Sequence, residues 1–335
     1  MTSKIIFGSN KLGALQGEQV QAMLKKHELG ELISFERTDQ GAMGQTMFVE
    51  SSKGHFVLKG NPLYEGQLQE ELFFIENIRE RTRVIVPSPY MIDDAVEIFG
   101  WNYAVMPKLE GEHLNAETLK GRIQLGDKLK IAESIAETLR AFHRWEVTEF
   151  GELDPKTFSI IPFEHSYTDW LFQRILYWLE DAKKYSKITK EDVLWVEELL
   201  QQSEQSFRKM TRPTFVMGDF KNGNFLVGEC ESWKVSGVFD FTNAYFADPT
   251  SDLIKMLTYY VDHHERTVAK HLVGKYFEGT VINMSIIQRL QVHMLHQRVL
   301  DWGAAKATNK VIWDDELAFS HWVKEYTDLV ESLLV

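Results

Sequence analysis

The feature of this sequence that most constrains its fold is a change in character near residue 107. Before that point, short segments rich in β-branched and aromatic residues are bounded by glycines, which is typical of short strands. After it, long segments carry apolar residues at spacings of three and four, which is typical of helices. Since 335 residues exceed the size at which one core usually stops growing, we predict an α+β chain with two lobes. Their predicted bounds are residues 1–106 and 113–335, with a hinge at 107–112.

The elements of the first lobe are predicted in the order strand, strand, strand, helix, strand, strand. The helix is indicated by an apolar stripe that includes Leu68, Leu72 and Ile75. The predicted strands are 32–39, 44–50, 53–59, 90–99 and 101–106, and the helix is 65–80.

The second lobe is predicted to be mostly helical. One β pair, 223–227 and 235–239, interrupts the helices around a turn. The predicted helices include 128–144, 170–183, 191–207, 286–302 and 315–332.

Composition excludes several classes of protein. The formal net charge of -12 argues against a nucleic-acid partner, because phosphate binding needs a basic surface. Cys230 is the only cysteine, so we expect no disulfide within the chain and a reducing, cytoplasmic location. No apolar run is long enough to predict a membrane span or a leader peptide.

The residues that carry chemistry lie between 217 and 252. Asp219 is followed five residues later by Asn224, and Asp240 lies beyond the predicted β pair. Transfer of a γ-phosphoryl group needs a carboxylate to orient the attacking hydroxyl and oxygen ligands for divalent ions. An Asp and an Asn at this spacing are common in turns for unrelated reasons. The order of these residues, followed by Asp248 and Asp252, is what indicates phosphoryl transfer.

A lysine and a glutamate upstream form a second predicted pair. Lys59 ends a predicted strand, and a buried lysine there needs a counter-charge. Glu71 shares the apolar stripe of the helix, whereas Glu70 points about 100° aside. We therefore predict that Glu71 is the partner of Lys59. The alternative is that Lys59 lies on the surface and that Glu70 and Glu71 are both solvated.

The sequence Gly-Asp-x-x-x-x-Asn, a hairpin, then Asp-Phe and Asp-Pro-x-x-Asp-Leu resembles the signature of the aminoglycoside phosphotransferase family. The resemblance covers roughly residues 30 to 330. It implies a protein-kinase-like fold, with a small antiparallel-sheet N-lobe carrying one helix and a larger, mostly helical C-lobe. It also implies a kinase that uses ATP and Mg²⁺, with Asp219 as the catalytic residue. Asn224 and Asp240 would hold the metal, and Lys59, positioned by Glu71, would hold the α- and β-phosphates as in kinases.

The same resemblance assigns the nucleotide site. Met106 would be the gatekeeper behind the adenine. The adenine would accept a hydrogen bond from the amide of Leu109 and donate one to the carbonyl of Pro107. Gly41 and Gly44 lie where the family folds a loop over the phosphates, although glycines of an ordinary β-turn are the alternative.

Three further positions are interpreted as structural. Asp252 falls where the family has an acidic residue that braces the catalytic loop, and His143 is assigned a structural hydrogen bond. Met217 stands where the family generally has a histidine, and its side chain cannot donate a hydrogen bond.

The acceptor is expected to be a small molecule. Seven residues separate Asp240 from Asp248, which leaves no room for the segment with which protein kinases grip a peptide. An acidic pocket would suit a polycationic aminosugar. Candidate acids for such a pocket are Asp248, Asp262, Glu265, Asp301, Asp314, Asp315 and Glu316.

Several functions remain open at this stage. The layout is similar to that of hygromycin kinases, which would imply antibiotic resistance. Choline, homoserine, methylthioribose or a macrolide are alternative acceptors, and a catalytically weak nucleotide-binding regulator is another alternative. The chain is expected to be a monomer or a homodimer.

Overall fold

The structure is a computed structural model that describes residues 2–38 and 44–334. Gly41, one of the two glycines assigned to the phosphate loop, lies outside these residues. Within the described ranges, no helix is both long enough and apolar enough to span a bilayer.

The N-lobe contains a five-stranded antiparallel sheet with the order β1-β2-β3-β5-β4. Its strands are β1 (Leu32–Arg37), β2 (Thr46–Ser51), β3 (Gly54–Gly60), β4 (Met91–Asp93) and β5 (Tyr103–Pro107). The strand predicted at 90–99 is therefore only three residues long. Asp93 ends it, because its Oδ1 accepts a hydrogen bond from the amide of Ala95 and turns the chain.

Two helices cover this sheet, α1 (Gly17–Lys26) and α2 (Gln67–Arg81). The sequence analysis did not predict α1, which buries Val20 and Met23 against one face of the sheet. The α2 helix belongs to a different core, because Phe74 and Ile75 pack in the cluster that continues into the C-lobe. The α2 helix therefore couples the two lobes.

The C-lobe is mostly helical, as predicted. Side chains cap the starts of several helices: Ser166, Thr189 and Asn283 each accept a hydrogen bond from an amide three residues later. The helices are α3 (Leu125–Phe142), α4 (Tyr167–Ala182), α5 (Lys190–Arg208), α6 (Ile254–Asp262), α7 (Arg266–Tyr276), α8 (Met284–Thr308) and α9 (Phe319–Leu334), with short 3₁₀ turns at Glu117–Leu119 and Pro249–Leu253.

Two small sheets position the functional loops of the C-lobe. The predicted β pair is present as β9 and β10, and a four-stranded sheet with the order β7-β6-β11-β8 was not predicted. In that sheet Tyr245 pairs with Val216. The strand that precedes Asp219 therefore lies beside the strand that follows Asp240. The strands are β6 (Gly151–Leu153), β7 (Ile160–Pro162), β8 (Thr214–Val216), β9 (Phe225–Glu229), β10 (Trp233–Val238) and β11 (Tyr245–Ala247).

The N-terminal segment, residues 2–15, also bridges the lobes. Leu12 packs in the N-lobe core, while Ile5 packs between helices of the C-lobe. The amide of Ile5 donates to Asp181 Oδ2 at 2.9 Å, and Asn10 Nδ2 donates to the carbonyl of Pro62 at 2.9 Å. The segment thus ties α4 to the loop that precedes α2.

Candidate active site

A lysine and two carboxylates meet between the lobes. Strand β3 brings Lys59 Nζ to 2.8 Å from Glu71 Oε2 on α2 and to 3.0 Å from Asp240 Oδ1. Burial lowers the pKa of Lys59, but the carboxylates of Asp240 and Glu71 outweigh burial and raise the pKa overall. Lys59 is therefore held as a cation in the cleft.

Glu71 is fixed by three donors. Its Oε2 also accepts from the hydroxyl of Tyr90 at 2.7 Å, and its Oε1 accepts from the amide of Phe241 at 3.1 Å. One side chain therefore connects α2, Lys59 and the loop that carries Asp240. The sequence analysis missed Tyr90, because nothing in its local sequence marks it as a partner of a residue on α2.

Glu70 takes a different direction and accepts from the hydroxyl of Tyr64 at 2.6 Å. It is only 8% exposed. Burial raises its pKa to about 7; the Tyr64 hydrogen bond opposes the rise, and the charges of Glu152 and Glu71 add to it.

The raised pKa of Glu70 predicts a pH-dependent stability. Between the ordinary value of 4.5 and about 7 the folded protein binds more protons here than the unfolded chain, so this residue's contribution to the unfolding free energy falls as pH rises. Glu70→Gln should raise the unfolding free energy at pH 8 by about 1 kcal/mol, after allowance for solvent screening, and change it little at pH 5. Urea unfolding at both pH values measures this, with the exposed Glu76→Gln on the same helix as control. An equal change at both pH values would contradict it.

The catalytic loop is braced through its main chain. Asp252 accepts from the amides of Met217 at 2.7 Å and Gly218 at 2.8 Å, and its Oδ2 lies 3.2 Å from His143 Nε2. Met217 itself is fully buried in the core. The loop is therefore held although residue 217 has no side-chain donor.

Gly218 is required by this turn. Its φ is +74°, and an added Cβ would lie 2.2 Å from the carbonyl oxygen of Asn243. The turn therefore fixes the position of the residue after it, Asp219.

Asp219 is surrounded by hydrogen-bond donors. Its Oδ2 accepts from Lys221 Nζ at 2.8 Å and from Asn224 Nδ2 at 3.0 Å, and Lys255 Nζ contacts its Oδ1. Asn224 Nδ2 also donates to the backbone carbonyl of Asp219 at 2.9 Å. The sequence analysis missed both lysines. Lys221 lies inside the motif and could have been found from its position, whereas nothing in the sequence marks Lys255.

Asp240 has a backbone conformation that is rare outside glycine, with φ of +68°. Its Oδ1 accepts from Thr242 Oγ1 at 2.8 Å as well as from Lys59. Burial raises the pKa of Asp240, but the charge of Lys59 and the hydrogen bonds from Lys59 and Thr242 together outweigh burial and lower it overall. Its side chain is 37% exposed, so an ionised carboxylate faces the cleft with Oδ2 available.

These residues fit a magnesium ion bound together with a nucleotide. Magnesium prefers oxygen ligands and is commonly held by one or two protein groups, with phosphates and water completing the shell. Asp240 offers a carboxylate oxygen. Asn224 offers its amide oxygen, because its nitrogen is committed to Asp219.

The end of β5 and the segment after it contain the residues that the resemblance assigns to the base. The amide of Lys108 donates to the carbonyl of His55 on β3 at 2.9 Å. Because successive backbone groups alternate along a strand, the carbonyl of Pro107 at the end of β5 faces away from β3. Leu109 lies beyond the end of this strand. Met106 is buried at the end of β5. Gly44 has a φ of +63°, and its carbonyl accepts from the amide of Leu12.

The prediction that Asp248 lines an acidic acceptor pocket is wrong. It is 0% exposed, and its Oδ2 lies 2.9 Å from Arg289 Nε and 3.0 Å from His293 Nε2. Its acidic side chain made it a candidate, but it is buried in an internal ion pair. Other candidates are also engaged: Glu265 with Lys128, Asp301 with Arg298, Asp315 with Lys306, and Asp262 with the hydroxyl of Tyr326.

Comparison with solved structures places this fold among aminoglycoside phosphotransferases. The GDP complex of aminoglycoside 2′-phosphotransferase-IIIa superposes with a TM-score of 0.62 at 14% identity, covering 95% of this chain and 97% of that one. The GDP and kanamycin complex of APH(2″)-IIIa gives 0.60 at 15% identity, covering 95% and 99%. A thermostable mutant of APH(4)-Ia with AMP-PNP and hygromycin B gives 0.60 at 14% identity, covering 94% and 98%. At these identities the likeness shows the fold, which confirms the predicted fold class.

Comparison by sequence gives the family. No curated protein matches the chain. A family model described as the phosphotransferase enzyme family matches residues 34–281. Because this match covers more than half of the chain, it confirms the resemblance stated from the motifs, and the protein belongs to the phosphotransferase enzyme family.

Proposed function

We propose that this phosphotransferase, an enzyme that moves phosphate onto a hydroxyl group, is a small-molecule kinase that uses ATP and Mg²⁺. The observation that supports it most is the chain of contacts from Glu71 through Lys59 to Asp240, beside the pair of Asp219 and Asn224. A phosphate-binding cation, two oxygen ligands and a carboxylate base thus share one cleft.

The chemistry assigned to Asp219 is that of an orienting base. Its carboxylate accepts a hydrogen bond from the acceptor hydroxyl and receives the proton as the new oxygen–phosphorus bond forms. The bond between the γ-phosphorus and the bridging oxygen breaks, and ADP leaves with the electron pair. Lys221, within hydrogen-bond reach of Asp219, would neutralise charge on the transferred group. Most of the rate enhancement would come from positioning and charge neutralisation.

The remaining proposed roles concern ATP and its metal. Lys59 would exchange its contact with Asp240 for the α- and β-phosphates and keep Glu71 as its anchor. Asn224 and Asp240 would hold the Mg²⁺, which supplies neutralisation of the phosphate charge when bound. Met106, Pro107 and Leu109 would contact the base, and Gly44, with Gly41 outside the described residues, would contribute to the loop over the phosphates.

The acceptor is proposed to be a small molecule in the cytoplasm, and the enzyme a monomer or homodimer. Solved neighbours bind kanamycin or hygromycin B, which keeps aminoglycosides among the candidates beside choline, homoserine, methylthioribose and macrolides. The alternative of a regulator without catalysis was favoured by Met217. The bonds from Asp252 to the main chain of residues 217 and 218 weaken that alternative.

The proposed function predicts acceptor-stimulated release of ADP. The purified protein would be incubated with Mg·ATP and, one at a time, aminoglycosides including hygromycin B, macrolides, choline, homoserine and methylthioribose. We expect micromolar to millimolar binding of Mg·ATP and stimulation of ADP release by an acceptor. Asp328→Asn, which removes an exposed carboxylate paired with Lys324, is a control that should behave as the wild type. Absence of nucleotide binding by calorimetry would contradict the proposal.

A further inference from the structure

A group of basic side chains lies beside the catalytic loop on the C-lobe side. Arg174 on α4 lies between two rings, with its guanidinium carbon 5.1 Å from the ring centroid of Trp170 and 4.6 Å from that of Trp178. His296 on α8 stacks on Trp178 with centroids 4.7 Å apart. Two helices thus bring an arginine and a histidine together on one tryptophan.

Aromatic contacts connect this group to the catalytic loop. The ring of Tyr245 packs against Gly218, where an added Cβ would lie 3.2 Å from its Cε1. The centroid of the same ring lies 5.7 Å from that of Trp170. Phe163 stacks on Trp170 from another side, with centroids 4.2 Å apart. An aromatic wall therefore runs from the residue before Asp219 to Arg174.

Lys255 joins the same group from α6. It contacts Asp219 directly and lies one helical turn beyond Ser251, whose Oγ is 3.4 Å from the hydroxyl of Tyr245. Burial lowers the pKa of His296, and the charges of Arg174, His293 and Lys255 lower it further.

The arginine in this group forms no ion pair with any residue that the structure describes. Across residues 2–38 and 44–334, Arg174 forms neither an ion pair nor a hydrogen bond, and its Nε is buried without a partner. His296 Nε2 is likewise buried without a partner. Burial lowers the pKa of Arg174 overall, although Tyr245 and Glu152 act in the opposite direction; Glu152 lies beyond ion-pair distance. Asp219 is already in contact with two lysines.

A second arginine in the same lobe shows that such stacking does not require an unpaired charge. Arg298 lies over the rings of Trp322 and Tyr326, at 5.3 Å and 4.6 Å from their centroids. Unlike Arg174, it forms an ion pair with a carboxylate, that of Asp301. Burying a guanidinium without an anion costs free energy. The unpaired guanidinium of Arg174 is therefore a candidate to bind an anionic ligand.

We propose that the acceptor carries a carboxylate or phosphate group that binds Arg174, with Lys255 beside it, while its hydroxyl reaches Asp219. This inference rests on the proposed kinase function and gives the charge class of the substrate. A guanidinium binds either anion through paired hydrogen bonds, and cations at the acceptor site would repel a polycation. The aromatic wall between the two ends favours an acceptor with a flat, apolar body.

The test uses probes matched in shape and different in charge. They are 4-hydroxybenzoate and 4-hydroxyphenyl phosphate as anions, 4-hydroxybenzamide as the neutral counterpart, and kanamycin as a polycation. Each is titrated calorimetrically into the protein with Mg·AMP-PNP bound, and assayed for ADP release with Mg·ATP. The variants are Arg174→Met and Arg174→Gln, with Arg298→Met as the matched control.

We expect the wild type to bind at least one anionic probe about tenfold more tightly than the benzamide, the effect of one charged hydrogen bond. Both Arg174 variants should lose this preference, and Arg298→Met should keep it. Equal binding of all four probes, tighter binding of kanamycin, or a preference that survives in both Arg174 variants would overturn the inference. Binding of Mg·AMP-PNP by each variant shows that it is folded, and its absence from the wild type would instead overturn the proposed function.

Discussion

Asp219→Asn is expected to lower kcat for the acceptor by about 10²- to 10⁴-fold while changing the Kd of Mg·AMP-PNP by less than about threefold. The amide has nearly the same shape as the carboxylate but cannot receive the hydroxyl proton. It also loses the charge that holds Lys221 and Lys255, so the acceptor hydroxyl is positioned less well. Single-turnover phosphorylation measures the chemical step, and calorimetry measures the nucleotide affinity.

The interpretation of that result depends on the stability of the loop. Asn224 donates to both the side chain and the carbonyl of Asp219, so an asparagine at 219 changes one of these bonds. Unfolding in urea reports whether the loop has been disrupted, and Asp328→Asn supplies the baseline for loss of a lysine-paired carboxylate. If kcat stays within about tenfold of the wild type while the protein is equally stable, Asp219 is not the base.

The sequence predicted those parts of the fold that depend on local patterns. The strands that became β2 and β3 alternate buried and more accessible residues over six or more positions, so their period was readable. The strand that became β5 is instead a short continuous run of buried residues, marked by its β-branched and aromatic composition. The strands of the β7-β6-β11-β8 sheet have three residues each, which is too few to show a period. The α1 helix does carry an apolar pattern, with Val20, Met23 and Leu24, and could have been predicted.

The candidate site divides in the same way. The spacing of Asp219, Asn224 and Asp240 is a property of one stretch of chain, so the sequence contained it. Tyr90 and Glu71 are 19 residues apart in the sequence, and Lys255 and Asp219 are 36 apart. Both contacts depend on how separate elements pack. Such contacts leave no trace in the local pattern.

The acidic pocket illustrates a different limit. A net charge of -12 suggested carboxylates for a cationic acceptor, but charge counts do not show which carboxylates are already paired. Asp248 is buried against Arg289 and His293, whereas Arg174 forms no ion pair within the described residues. The charge that a binding site prefers in its ligand depends on which charged side chains of the site are unpaired. The pairing of side chains is visible only in the structure.

Asp240→Ala is expected to remove most of the dependence of nucleotide binding on Mg²⁺. In the wild type, Mg²⁺ should strengthen binding of ADP by about 100-fold or more relative to EDTA, and in the variant by less than about fivefold. Removing this carboxylate also frees Lys59 from an ion pair of 3.0 Å. Metal-free ADP should therefore bind the variant at least as tightly as it binds the wild type. Calorimetry with and without Mg²⁺ gives both comparisons.

The changes in ADP affinity with Mg²⁺ and with EDTA together show whether Asp240 is a metal ligand or a structural residue. Alanine is strained at the φ of +68°, so Asp240→Asn, which tolerates this conformation and removes only the charge, is the second variant. Thr242→Val is the control, because it deletes the 2.8 Å hydrogen bond to Asp240 and leaves the carboxylate. If Asp240 is a ligand to Mg²⁺, both Asp240 variants should lose the strengthening of ADP binding by Mg²⁺ and keep their metal-free affinity. The control should lose neither. Equal loss of affinity with Mg²⁺ and with EDTA would mean that Asp240 serves to shape the phosphate site, and an undiminished metal effect would assign Mg²⁺ to other residues.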